Sequence, residues 1–286
     1  MEDRDEQNAY RLGNGRSLHS HCDRWCEREW WAAPASTPFV SIGDSLAFGY
    51  EPNLVANRDF NPDDYHGYTE DYAAMRPHTK VVNFGCSGET TETLIKGGCP
   101  WLRNGLPLHH PYPDGMSQLD AAVTYLVQHP DTRLVSVDIG SNDLFALNDQ
   151  CNRDVACIEE ALPQTIANLT YNYAVILGAL KTAAPQAQFV VFNLYNPLAS
   201  VFPGSDELLS VVNDAIAGVA ASYGASVADA FSAINHVVGS PSERDFICTR
   251  TWECSSYQDS HPTDLGYQEM AIALLHATQP EPARLP

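Results

Sequence analysis

The chain has 286 residues, enough to bury a substantial core, and 44% are hydrophobic without any apolar run long enough to cross a bilayer. Sixteen Lys and Arg stand against 36 Asp and Glu, a formal net charge of −20. That balance argues against nucleic acid and anionic membranes as partners; it reads as a solvated acidic surface, with a preference for cationic or neutral substrates as the alternative.

Residues 1–36 are charged and polar and end in Trp30-Trp31-Ala32-Ala33-Pro34, which predicts an extension outside a main domain at 37–286. Its acidic start suits disorder, while Trp25, Trp30 and Trp31 suit packing. It lacks the apolar segment of a signal peptide, so it is read as the mature or re-engineered N-terminus of an exported chain. The first strand is expected at 38–42. It stops at Gly43-Asp44-Ser45 and the sequence resumes with helix-compatible residues, a strand–turn–helix pattern. Ser45 would then lie at the carboxyl end of a strand with its N–H at a helix start, a good place for a nucleophile that must stabilise an oxyanion.

Residues 51–65 are rich in Asn, Asp and Pro and predict a loop, 67–75 a helix, and 79–84 a second strand ending in the turn 85–90. Four prolines and four glycines between 97 and 115 argue against regular structure. A helix starts at Ser117, with Asp120 in a capping-box-like position and Met116, Leu119, Val123, Leu126 and Val127 as its apolar stripe. Strand three is expected at 133–139, ending at Gly140-Ser141-Asn142-Asp143. After a loop at 151–157, Pro163 opens a long helix with Ile166, Leu169, Tyr173, Ile176, Leu177 and Leu180 on one face. Strand four is expected at 188–194. Ser205 caps a helix that carries Asp206 and Glu207 in its first turn and ends before Gly224. Strand five is at 225–228, residues 232–260 are irregular, and 263–277 form the last helix. The sequon Asn168-Leu169-Thr170 falls mid-helix and reads as coincidence. Strands alternating with helices predict one α/β domain with a mainly parallel sheet.

Eight cysteines fall in local pairs: Cys22 and Cys26, Cys86 and Cys99, Cys151 and Cys157, Cys248 and Cys254. Eight cysteines allow roughly 105 pairings, so the connectivity stays open, and sequential pairing is the simplest arrangement. Closing the Cys86–Cys99 loop would stabilise by about 3 kcal/mol in the chain-entropy model. Disulfides would imply an oxidising compartment and secretion. Zinc is the competing account, but the spacings form no paired C-x-x-C hooks. His19, His21, Cys22 and Cys26 are a metal-site alternative to a disulfide-tied or mobile tail.

Ser45, Gly88 and Asn142 all fall just beyond expected strand ends, and His261 just before the last helix. Each has an ordinary reading: Gly-Asp-Ser as a capped turn, Gly88 as a turn glycine, Asn142 as a loop cap, His-Pro as surface. Together those readings require four coincidences. Gly43-Asp44-Ser45-Leu46, Ser87-Gly88-Glu89-Thr90, Gly140-Ser141-Asn142-Asp143 and His261-Pro262-Thr263 resemble blocks I, II, III and V of the SGNH/GDSL hydrolases, over roughly residues 38–278. The Cys86/Cys99 and Cys151/Cys157 pairs also resemble secreted actinobacterial members.

The resemblance implies a three-layer α/β/α sandwich with about five parallel strands in flavodoxin-like order, and a serine esterase or lipase needing neither metal nor cofactor. It implies Ser45 as nucleophile, His261 as base, and the N–H groups of Ser45 and Gly88 with the Asn142 amide as oxyanion hole, roles that acyl transfer requires in any case. In the family an aspartate usually stands three residues before the histidine. Here Gln258 holds that position and Asp259 stands two before. Either the Asp259 carboxylate reaches the imidazole, or a backbone carbonyl orients it in a Ser–His dyad. Asp44 is expected to brace the turn, not to transfer protons. Leu46, Phe48, Tyr50, Trp101, Leu102, Leu106 and Tyr195-Asn196-Pro197-Leu198 are candidates for an acyl pocket. The expected partner is a small-molecule or lipid ester met by a monomer. A carbohydrate acetyl esterase is the nearest alternative, and a catalytically silent binding protein on the same fold the more distant one.

Overall fold

β1 (Thr37–Gly43) and β3 (Leu134–Asp138) are apolar, β-branched runs buried almost from end to end, as expected of central strands in a sheet covered on both faces. In the computed structural model, which describes residues 36–113, 115–199, 202, 204–236 and 242–279, they are joined by β2 (Thr79–Asn83), β4 (Gln188–Phe192) and β5 (Ser226–Ala228). All neighbours pair in parallel, in the order β2-β1-β3-β4-β5. The five-stranded parallel sheet in flavodoxin-like order is therefore present. The extension at residues 1–36, including Cys22 and Cys26, falls outside the described residues up to position 35.

The helices in chain order are α1 (Ser45–Phe48), α2 (Pro52–Ala56), α3 (Tyr68–Met75), α4 (Thr91–Lys96), α5 (Pro100–Arg103), α6 (Gln118–Gln128), α7 (Ser141–Gln150), α8 (Val155–Ala183), α9 (Ser205–Ser222), α10 (Ala230–Asn235), α11 (Glu243–Arg250) and α12 (Asp264–Ala277). α6, α8 and α9 pack around one core, with Leu126, Leu169, Tyr173, Ile176 and Ile216 fully buried. α3, α10 and α12 cover the other, with Tyr68, Phe192, Tyr267, Met270 and Leu274. These are the outer layers of a three-layer sandwich.

Several boundaries differ from expectation. The 51–65 loop contains α2 and a 3₁₀ turn at Pro62–Asp64, each opened by a proline whose missing N–H costs nothing in a first turn. The 97–115 segment contains α5 on the same principle. α8 starts eight residues before Pro163, where the Asp154 side chain caps Cys157 N–H, so the proline lies inside the helix. The expected 151–157 loop therefore ends in helix. Gly204, not Ser205, is the N-cap of α9; the Ser205 hydroxyl instead accepts from Asn196 at 2.7 Å. Val127 is 64% exposed, because at 100° per residue it is rotated by about 80° from Leu119. α10, α11 and a 3₁₀ turn (Trp252–Cys254) occupy much of the stretch expected to be irregular, and α7 follows β3 directly.

Candidate active site

At the end of β1 the backbone of Gly43 is so close to β3 that an added Cβ would lie 1.9 Å from the Asp138 carbonyl oxygen. Only glycine fits there. The Gln118 side chain clamps the same residue, accepting from Gly43 N–H at 2.7 Å and donating to its carbonyl at 2.9 Å. Asp44 N–H donates to the Asp138 carbonyl at 3.0 Å, and the Asp44 carboxylate caps α1 by accepting from Leu46 N–H at 2.9 Å. The chain thus turns sharply and projects Ser45, itself only 6% exposed, from the top of the sheet.

The next turn follows β2. Cys86 N–H donates to the Gly43 carbonyl, tying this turn to the first. Gly88 has φ +85°, and a Cβ there would meet the Pro100 ring at 3.2 Å. A side chain there is strained by conformation and crowds the Pro100 ring, which would have to give way. The turn after β3 is bound to the second: Asp143 accepts from Thr91 N–H at 2.9 Å and from Thr91 Oγ1–H at 2.5 Å, while Asn142 Nδ2 donates to the Glu89 carbonyl at 2.8 Å and to Asp44 at 3.4 Å. Both Asn142 amide protons therefore have acceptors within the fold. Among the described residues no hydrogen bond uses the N–H of Ser45 or of Gly88.

His261 arrives from a separate loop, 216 residues along the chain. Its Nε2 lies 2.7 Å from Ser45 Oγ and its Nδ1 2.5 Å from Asp259 Oδ1. A carboxylate only accepts, so Nδ1 carries the proton and Nε2 accepts from the serine hydroxyl. The same Asp259 oxygen accepts from His261 N–H at 2.9 Å, closing a short Asx turn. Gln258, where the family usually has aspartate, sits at φ +47°. That left-handed step turns the chain so that the residue two before the histidine meets the ring. The imidazole Nδ1 is thus met by the Asp259 carboxylate.

The carboxylates around the site are pushed in opposite directions. Burial raises Asp44 to about 7 and pushes Asp138 well above the carboxylate range, the negative charge of Asp44 adding to the effect on Asp138. Burial also raises Glu89 to about 7, against hydrogen bonds from Thr93 and Gln118. For Asp259 burial acts in the same sense, but the hydrogen bond and charge of His261 outweigh it and hold the group below its ordinary value.

Ser45, Asn142, Asp259 and His261 are thus joined by contacts, directly or through Asp44, and Gly88 by the linked turns. The pocket candidates fare less well. Phe48 is fully buried, Leu46 and Trp101 nearly so, in the cores; Tyr195 uses its hydroxyl to donate to the Ser260 carbonyl at 2.7 Å. Tyr50 remains partly exposed, with its ring centroid 4.2 Å from that of His261. Gln118 and Thr91 carried no sequence signal beyond their polarity. The described disulfides are Cys86–Cys99, Cys151–Cys157 and Cys248–Cys254, all sequential. One set of possible metal ligands converges among the described residues, Cys86, Glu89 and Cys99, but its two sulfurs are bonded to each other.

No curated protein sequence matches the chain. Solved structures do. An extracellular lipase from Streptomyces rimosus is 21% identical, with a TM-score of 0.55 over 85% of this chain and 100% of that one. A phospholipase A1 from Streptomyces albidoflavus is 20% identical, with the same score and coverage. The acetylxylan esterase Axe2 from Geobacillus stearothermophilus is 15% identical, with a TM-score of 0.52 over 85% and 94%. At these identities the likeness is one of fold. The sequence itself matches the GDSL-like lipase/acylhydrolase family over residues 41–269, and the chain belongs to that family.

Proposed function

We propose that this protein is a serine ester hydrolase working through an acyl-enzyme. The observation that carries the proposal is His261, bonded at once to Ser45 Oγ at 2.7 Å and to Asp259 at 2.5 Å. Ser45 Oγ attacks the ester carbonyl carbon while its proton passes to His261 Nε2. The imidazolium, held by Asp259, returns that proton to the departing alcohol, leaving Ser45 acylated. Water then repeats the two transfers and releases the acid. The unengaged N–H groups of Ser45 and Gly88 receive the oxyanion, and Asn142 joins them by giving up its long bond to Asp44.

Phe48, Leu46 and Trp101, three of the candidate pocket residues, belong to the cores and are withdrawn from any acyl pocket. This favours short acyl groups, and with them an acetyl esterase, over a long-chain lipase. Three disulfides among the described residues suit secretion, as does the fold shared with an extracellular lipase, and no described helix is long and apolar enough to cross a membrane. No step of the reaction calls for a cofactor or metal, and we take the working unit to be a monomer.

A fluorophosphonate should form a covalent adduct on Ser45 that mass spectrometry locates. Ser45→Ala should abolish both the adduct and nitrophenyl acetate hydrolysis, by about 10⁴-fold or more in turnover. An adduct elsewhere, or an active Ser45→Ala protein, would overturn the reading. Comparing acetyl with octanoyl esters, and acetylated xylan with both, separates the acetyl esterase from the lipase.

A further inference from the structure

Tyr50 is the first residue beyond the Gly49 C-cap of α1. Its backbone is fixed at both ends: Tyr50 N–H donates to the Ser45 carbonyl at 2.9 Å, and the Tyr50 carbonyl accepts from the Tyr267 hydroxyl of α12 at 2.9 Å. The ring is therefore tied to the nucleophile and to the helix that follows His261. It lies with its centroid 4.2 Å from that of the imidazole at an interplanar angle of 37°, while the edge-on ring of Trp101 supports it at 6.0 Å. Among the described residues the phenol oxygen makes no hydrogen bond. Burial and the neighbouring Asp259 carboxylate both raise its pKa, so the ring stays neutral.

His261 thus has three kinds of neighbour. Asp259 holds Nδ1, Ser45 meets Nε2, and Tyr50 covers a face. An aromatic face carries partial negative charge and attracts a cation, most strongly where water is partly excluded. The imidazole that accepts from Ser45 at Nε2 is the uncharged form, and serine attack makes it cationic. An attraction present only in the second state lowers the barrier rather than simply binding substrate. The other ionisable groups here are Tyr65, which feels Tyr50 itself, and Glu253 of the 3₁₀ turn and Tyr195 beyond β4, each of which feels the charge of Asp259. None of these is a cation that would compete with the imidazolium for Tyr50.

We infer that Tyr50 is a positioning residue for the reaction: its ring face holds the His261 imidazole in line with Ser45 and favours the imidazolium that forms there. This rests on the serine-hydrolase reading above. It differs from a role in lining the acyl pocket, which would act on substrate binding and vary with acyl length.

The test uses the full chain and keeps the shape of the ring while changing its charge. Tyr50→Phe keeps the ring face and removes only the unused hydroxyl, and it is the reference against which the next variant is read. Tyr50→pentafluorophenylalanine has nearly the same shape and a reversed ring quadrupole. It should lower kcat about 3–10-fold and move the acid limb of kcat/KM to lower pH by about half a unit, with KM little changed. Tyr50→Leu should act in the same direction. If the fluorinated protein matches Tyr50→Phe in both turnover and pH profile, the electrostatic role is overturned. If the change is confined to KM and grows with acyl length, Tyr50 is a pocket wall instead. Failure of the underlying reading is recognised separately, by the absence of a fluorophosphonate adduct on Ser45 in the wild-type protein.

Discussion

Ser45 leaves the end of β1 in a turn bonded to both neighbouring strand ends, whereas His261 sits in a loop built largely from its own residues. On the serine side, Gly43 abuts the Asp138 carbonyl, Asp44 N–H bonds that same carbonyl, and Cys86 N–H bonds Gly43. On the histidine side, the Asp259 side chain bonds His261, Trp252 N–H bonds the His261 carbonyl, and the Tyr195 hydroxyl holds Ser260. Cys248–Cys254 closes the segment carrying Trp252. The carboxylates follow the same division. Asp44, sealed under its turn, is raised toward neutrality, while Asp259, paired with the imidazole, is kept ionised. One half of the site is fixed redundantly by the sheet, and the other depends on a few local bonds around one carboxylate.

The contrast is tested most severely at Asp259. Asp259→Asn should keep the fold but donate to Nδ1 instead of accepting from it, reversing the tautomer of His261. Turnover should fall about 10³–10⁴-fold, with a Tm close to that of the wild type. A loss of less than tenfold would mean that a backbone carbonyl does the orienting. On the serine side, Gly88→Ala places a methyl 3.2 Å from the Pro100 ring at φ +85°. It should cost about 1–3 kcal/mol of stability in urea denaturation and about 10²-fold in turnover, as the N–H donor is displaced. Unchanged kinetics would remove Gly88 from the oxyanion hole.

The same division governs what the sequence makes legible. β1 and β3 are buried apolar runs that stop at glycine, so the strands, the turns and the positions of Ser45 and Asn142 follow from pattern alone. Asp259 does not, because its reach to His261 depends on Gln258 taking a left-handed conformation that nothing in its side chain demands. α8 begins before Pro163 because the cap at Asp154 and the burial of Ile158 and Leu162 hold its first turns, a tertiary balance invisible to a breaker rule. Phe48 and Leu46 look like pocket residues from their closeness to Ser45, yet the four-residue α1 turns both into the cores. Tyr50 escapes that fate only because Gly49, at φ +80°, ends the helix before it.

The disulfide offers a milder perturbation of the histidine side. Replacing Cys248 and Cys254 together by Ser should cost about 2 kcal/mol, the closure entropy of a short loop. It should lower turnover about tenfold, since a small displacement of a base is enough for that. The equivalent change at Cys151 and Cys157 should cost similar stability and leave turnover alone. Equal kinetic effects from the two pairs would show that the histidine loop gains nothing special from its cross-link.

The smallest effect is expected where the two sides meet. Glu51, next to Tyr50, is 6% exposed and faces Asp264, the first residue of the helix after His261. Burial raises its pKa from 4.5 to about 8, and the Asp264 carboxylate adds to the rise. Folded, the group therefore keeps a proton that the unfolded chain loses near pH 4.5. The native state binds more protons across that interval, so this group makes stability fall as pH rises from about 4.5 to about 8, after which its cost is constant. Glu51→Gln removes the titration and supplies an amide that can donate to Asp264. The variant should match the wild type in urea at pH 4.5 and exceed it by about 2 kcal/mol at pH 8.5, with turnover unaffected. A gain of the same size at both pH values would mean that the substitution improves packing and that Glu51 is ionised in the native protein. The joint between the two halves would then be held by the Tyr267–Tyr50 bond, without a shared proton.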